Sequence, residues 1–315
     1  MGAQSGSFRG SNAAAIAAVA LLGVASGAEV AAAADVAERK QMPVEATAPA
    51  ATSTPADLLF GARIQSDYNF RGISQSNRKP SPQGYFELQF MDNLFYAGLA
   101  AYRVDLATRP SMEQDWTAGI RPKFGPLQFD FGFIYYNYPS ERRLVDPTTL
   151  AIFTPGNTDM LELVGKVSYT YQDALTLGAN VFHAHNWLGT RAPGTYGSLT
   201  AKYTIPESLL GVSGFAVSGE LGHYWLGTTS ATLGSVRLPD YTYWNAGLSY
   251  TWKVFTFDLR YHDTDLRKRS CFVLTSDPRG IANGSSQSRW CGSTVIGTLS
   301  VDLQASTLPG IFAPK

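Results

Sequence analysis

The 315-residue chain balances 25 Lys and Arg against 25 Asp and Glu, so it has neither a basic field for nucleic acid nor an acidic, solvated character. Charged residues make up only 16% of it, while aromatics are plentiful at 16 Tyr, 17 Phe and 6 Trp; ordinary soluble domains are ~25% charged. Mean hydropathy is close to zero, and beyond the N-terminus no run of ~18 apolar residues offers a transmembrane helix. Low charge, many aromatics and no long apolar run fit a transmembrane β-barrel, whose strands hide their hydrophobicity in alternation.

The N-terminus reads as a secretory signal. Arg9 supplies the positive region, Ala13 to Gly27 the apolar core, and Ala32-Ala33-Ala34 a small-residue cleavage site, with a second at Ser26-Gly27-Ala28. Cleavage after Ala28 or Ala34 delivers the chain across the inner membrane. Residues 35–57 are Ala, Pro, Thr and Glu without an aromatic; they cannot bury enough surface to offset ordering entropy and are expected to form a flexible periplasmic lead.

The chain from residue 58 onward alternates. Phe60, Ala62 and Ile64 interleave with Gly61, Arg63 and Gln65, and the pattern runs on through Asp67, Asn69 and Arg71, longer than an ordinary strand of ~5–6 residues. Twelve such segments can be marked, at about 58–71, 83–91, 94–104, 113–123, 127–138, 159–171, 174–187, 195–205, 214–226, 240–251, 254–264 and 293–303. The connections after odd-numbered segments are long and those after even-numbered ones are mostly tight, as at Asp92-Asn93, Gln172-Asp173 and Trp252-Lys253; Pro206 to Ser213 is the exception. Loop length sorted by parity is the habit of up-and-down outer-membrane barrels, with short periplasmic turns and long outer loops. The expected fold is therefore an all-β, antiparallel, 12-stranded transmembrane barrel over residues 58–303, followed by a tail over 304–315. Tyr136, Tyr138, Tyr169, Tyr171, Trp187, Tyr224, Trp225, Trp244 and Trp252 fall near segment ends, where interfacial girdles belong.

The opening motif also resembles a known family. Ser66-Asp67-Tyr68, Phe70-Arg71-Gly72 and Ser74-Gln75-Ser76, followed by Gln83-Gly84, Phe95-Tyr96-Ala97-Gly98, Tyr135 to Pro139 and Tyr261 to Asp265, are similar to the TorF family of bacterial outer-membrane porins. The likeness spans about residues 58–303 and implies a β-barrel pore; it brings no knowledge of the substrate.

Pore-lining candidates follow from the wet face of each segment. The positive ones are Arg63, Arg71, Arg121, Lys123, Lys166, Lys202 and Arg260; the negative ones are Asp67, Glu87, Asp115, Asp130, Glu162, Glu220, Asp258 and Asp302. The two sets nearly cancel, so no ion selectivity is assigned, and cross-strand ion pairing is as reasonable a role as a charged filter. Arg71 could pair inward with a neighbouring strand, and Gly72 permits an unusual backbone angle or a close approach. Cys271 and Cys291, the only cysteines, both lie in the longest connection and should pair in an oxidising periplasm.

A hydrolase would need a nucleophile, a base and an orienting group within reach. His183 and His185 share a face beside Asn186, but no nucleophile motif surrounds Ser198 or Ser218, and no third metal ligand of matching type is evident. The chain is expected to be no enzyme, to hold no cofactor or metal, and to act as an outer-membrane channel for passive diffusion of small hydrophilic solutes. Its partners would be outer-membrane lipid, lipopolysaccharide and those solutes, and an oligomer is compatible with such a barrel. The alternative is a closed barrel with structural or adhesive outer loops, and the least favoured a lipid hydrolase.

Overall fold

A computed structural model describes residues 55–146 and 150–308; the expected signal peptide, nearly all of the lead and the end of the tail lie outside them. Twelve long strands form a closed antiparallel barrel. They are β1 (Ala56–Gln65), β2 (Ser81–Phe90), β3 (Phe95–Tyr102), β4 (Glu113–Ile120), β5 (Leu127–Asn137), β6 (Met160–Tyr171), β7 (Leu175–Ala184), β8 (Gly194–Thr204), β9 (Phe215–Leu226), β10 (Tyr241–Trp252), β11 (Phe255–Thr264) and β12 (Thr294–Gln304). Consecutive strands from β1 to β6 and from β7 to β12 are hydrogen-bonded to one another, and β12 pairs with β1 (Ile64 opposite Leu299). β6 and β7 lie side by side to complete the ring, with Thr170 Oγ1 3.0 Å from Thr176 Oγ1.

Alternation explains the wall. On β5, Phe131, Phe133 and Tyr135 are exposed outward while Asp130, Ile134 and Tyr136 are buried inside. On β11, Phe257 and Leu259 are outward, with Arg260 and His262 inside. Leu161, Leu163, Leu199, Leu221, Leu248 and Val295 continue the outer belt. An apolar surface of this extent has no place on a water-soluble monomer and suits a bilayer. Strands of 8–12 residues match the ~9–11 that a tilted crossing needs.

The connections sort by end, as the sequence predicts. The tight turns between β2 and β3, β6 and β7, and β10 and β11 place Met91, Asp92, Asn93, Gln172, Asp173 and Lys253 at positive φ, the twist that a short hairpin requires. The fourth such connection is a helical turn, α1 (Glu207–Leu210). At the opposite end the last long loop carries α2 (Lys268–Thr275) and α3 (Pro278–Ala282).

Three expectations need correction. First, strand one does not run from 58 to 71: β1 takes in Ala56 and Asp57, ends at Gln65, and the chain then turns into the barrel. The carboxylate of Asp67 causes the turn, accepting hydrogen bonds from Ser74 Oγ (2.5 Å), Ser76 Oγ (2.9 Å) and Arg78 (3.2 Å). Second, the segment at 113–123 breaks after Ile120, where Pro122 has no N–H to give the ladder. Third, the aromatics divide by parity: Tyr169, Tyr171, Trp225, Trp244 and Trp252 are exposed outward, whereas Tyr136, Tyr138, Trp187 and Tyr224 are buried inside and belong to no girdle. Trp116, Tyr135 and Tyr261 take outward places instead.

Candidate functional site: the lumen and its plug

Residues 66–80 fold back from the long-loop end into the barrel, where Asn69–Phe70 and Ile73–Ser74 form a two-rung hairpin. At its tip Arg71 (φ 46°) and Gly72 (φ 88°) both adopt left-handed backbone conformations. Gly72 is constrained twice: a Cβ there would lie 2.0 Å from Thr264 Cγ2 and 2.9 Å from Tyr243 Cδ2. Gly72→Ala should therefore unseat the hairpin while leaving the wall intact. The expected reading is higher bilayer conductance with an unchanged heat-modifiable gel mobility, the usual sign of a folded barrel.

From this tip Arg71 reaches across the lumen to β6. Its two terminal nitrogens donate to the two carboxylate oxygens of Glu162, at 2.7 and 2.9 Å, the bidentate geometry that guanidinium favours. Tyr136 and Tyr224 hydroxyls donate to the same carboxylate at 3.0 and 3.2 Å. The guanidinium carbon lies 4.4–4.5 Å from the ring centres of Phe70, Phe182 and Tyr196 and 5.1 Å from that of Tyr224, so cation–π attraction adds to the pair in a site that excludes water. Both charged side chains are buried. Tyr68, on the same segment, stacks on Tyr102 at 4.9 Å and donates to Glu113 at 2.7 Å.

Two further clusters belong to the wall itself. Arg121 binds Glu87 through both terminal nitrogens (2.8 and 3.1 Å) and Asp130 through Nε (3.1 Å), beneath the ring of Tyr96 at 3.6 Å. Arg260 meets Asn245 Oδ1 (2.6 Å), Ser218 Oγ (2.7 Å) and Asp258 (3.0 Å), while Glu220 accepts from Tyr196 (2.7 Å) and Asn245 (3.1 Å). The other wet-face candidates are distributed: Asp115 and Lys202 are buried, and Arg63, Lys166, Asp258 and Asp302 are half-buried. Asp67 sits in the plug rather than the wall, and Lys123 is exposed on the short-turn tip beyond Pro122.

Sequence reading missed the inward tyrosines, Tyr68, Tyr96, Tyr196, Tyr241 and Tyr243, which fill the space between the charged clusters. The histidines and serines weighed for a hydrolase lie apart. His183 is exposed on the outside and bonds Thr195 Oγ1, with His185 also exposed, whereas Ser198 and Ser218 face the interior, bound by Asn180 and Arg260.

The last long loop clamps the plug from above. Cys271 and Cys291 form a disulfide, which on chain-entropy grounds contributes about 3 kcal/mol for a loop near this size. Ser74 N donates to Trp290 O (2.8 Å), Trp290 Nε1 to Asn77 Oδ1 (3.0 Å), and Arg78 to the carbonyls of Arg289, Cys291 and Gly292. Reduction of the disulfide should loosen this clamp; a rise in open-channel events on adding reductant to a bilayer recording is the expected result, absent in Cys271→Ser/Cys291→Ser. On the other side Lys79 and Asn77 hold Asp105 at 2.6 and 3.2 Å. Partial burial alone would raise the Asp105 pKa; these partners outweigh it and hold the carboxyl below its usual range. That contact is fully present above the unfolded carboxylate value of ~3.9 and is lost as pH falls through the lower folded value.

Together these features define a membrane-spanning β-barrel with a plugged polar lumen. The chain belongs to the family described as bacterial protein of unknown function (Gcw_chp), which matches residues 49–285. No curated protein matches it. Among solved structures it is similar to the KdgM porin (10% identity, 79% of this chain and 97% of that one, TM-score 0.43). It is similar also to the NanC porin (11%, 78% and 97%, 0.42) and to the outer membrane protein OpdK from Pseudomonas aeruginosa (12%, 78% and 67%, 0.37).

Proposed function

We propose that this protein is an outer-membrane channel for passive diffusion of small hydrophilic solutes, held shut at its extracellular end by the 66–80 hairpin. The observation that carries the reading is that the occlusion is a separate element. The hairpin is attached by side-chain contacts, by the clamp loop and by one main-chain bond from Asp105 N to Gln75 O (2.8 Å), and the wall keeps half-buried polar residues such as Arg63, Gln65, Asp258, Thr298 and Ser300. A barrel meant only as a wall has no need of a removable stopper above a polar lumen. The motif resemblance to TorF porins supports the same reading. Both signs of charge line the lumen, so no ion selectivity is assigned.

Exposed cations on the long loops, Arg142, Arg143, Arg267, Lys268 and Arg269, support lipopolysaccharide phosphates as neighbours at that end. Covalent chemistry is not part of the proposal, since the candidate base and nucleophiles lie on opposite faces. A second reading, a permanently closed barrel with structural loops, is favoured by the burial of the Arg71 and Arg121 ion pairs. Planar-bilayer recording separates the two: the channel reading expects rare openings in the native protein and frequent ones in Gly72→Ala, and silence from both proteins would leave the closed barrel standing.

A further inference from the structure

Above the plug the long loops frame a partly open chamber of about 300 Å³. Its floor is Phe70 and Ile73 of the hairpin with Trp187 and Tyr241; its roof is Phe153, Leu238 and Phe272. None of the residues lining it is charged. Four of its hydroxyls are turned to other partners: Thr190 donates to Trp187 O, Ser276 to Phe153 O, Thr158 to Glu141 and Ser74 to Asp67. Such a space has volume for about ten waters at ~30 Å³ each, and apolar and aromatic side chains supply most of its wall. Mostly apolar concavities carrying a few polar groups are where small molecules bind, and this volume lies at the lower end of such sites, ~300–1,000 Å³.

We propose that this chamber is a binding site for a small, uncharged, apolar molecule of one or two rings, seated on the outer face of the plug. The site is distinct from the polar lumen below, where Arg71 points away from it toward Glu162. Its guest differs in class from the solutes proposed for the channel, so the two readings stand or fall separately. The flat walls contributed by aromatic rings from four different loops favour an aromatic guest over a flexible chain, since stacking and edge contacts add to simple burial.

The test is photolabelling of the full-length mature protein in lipid nanodiscs with 3-trifluoromethyl-3-phenyldiazirine, a small neutral apolar probe, with adducts located by mass spectrometry. Lipid-facing strands will label in any case and serve as the internal standard. The proposal expects severalfold stronger labelling of the segments bearing Phe153 and Phe272 than of the exposed loop segment 139–146. Excess naphthalene should remove that signal and glucose should not. Ala107→Phe and Leu233→Trp, which fill the chamber from two different loops, should each abolish it, with heat-modifiable mobility reporting that the barrel is folded. Labelling of the Phe153 and Phe272 segments at the level of the exposed loop, or unchanged by naphthalene and by whichever filling variant folds, overturns it.

Discussion

On the channel reading, Arg71→Ala should convert a mostly silent barrel into a conducting one. The substitution leaves Glu162 buried on β6 with only two tyrosine hydroxyls for company and empties a cage of four aromatic rings. Removing one partner of a buried pair typically costs about 3–5 kcal/mol because the other charge is stranded. Here the stranded state should relax, because withdrawal of the hairpin would let water reach Glu162. The penalty therefore falls on the closed state, and at ~1.4 kcal/mol per decade the closed-to-open ratio should drop roughly a hundredfold or more. Glu162→Gln, which keeps one oxygen to accept from Arg71 and leaves the aromatic cage filled although its amide nitrogen cannot accept, should open the barrel less. Single-channel recording of both variants checks the order, and equal silence in both would show that the hairpin is not what blocks the lumen. Thermal stability should change little in either, since the strand-to-strand ladder of the wall is untouched.

The wall was largely legible and the plug was not, for one physical reason. A period of two marks a strand whose faces meet different surroundings, and residues 58–71 keep that period. Beyond Gln65, however, the two surroundings are no longer lipid and lumen. Tyr68 faces Tyr102 and Glu113 on one wall while Asp67 gathers Ser74, Ser76 and Arg78 within its own loop. Alternation persists, yet the strand has ended. The residues that produce the turn are written in the motif itself: a carboxylate followed seven and nine residues later by serines, and a glycine at the tip. They become readable as a plug only when the fold supplies the barrel around them.

The inward aromatics escaped notice through a related assumption, that rings near strand ends are interfacial. Tyr224 and Trp225 are adjacent in sequence, yet one is 1% and the other 52% exposed. Parity, more than position along the strand, assigns the face. A usable signal was present, because wet-face glycines make room for these rings. Tyr96 lies across Gly119 and Gly132, where a Cβ at either would come within 2.7 Å of its hydroxyl. The ion pairs were half visible: the composition balanced, but which carboxylate would meet which arginine depends on register and on a loop that crosses the lumen, with Arg71 and Glu162 91 positions apart.

Arg121 offers the contrasting experiment, because the same chemistry is placed within the wall. Its partners Glu87 and Asp130 lie on β2 and β5, with Tyr96 on β3 beneath the guanidinium, so no withdrawing element can relieve a stranded charge. Arg121→Met should destabilise the barrel by about 3–5 kcal/mol, a large share of the ~5–15 kcal/mol typical of folded proteins. Urea unfolding in lipid vesicles is the measurement. Adding Glu87→Gln and Asp130→Asn to Arg121→Met removes both stranded charges and should restore much of the loss, since a buried ion cluster replaced as a whole by neutral groups often costs little. Conductance should stay near the native level throughout, because the Arg71 cage is untouched. If Arg121→Met instead opened the channel without weakening the barrel, the division between a stopper held by one arginine and a wall stitched by another would be wrong, and the lumen would have to be treated as a single coupled network.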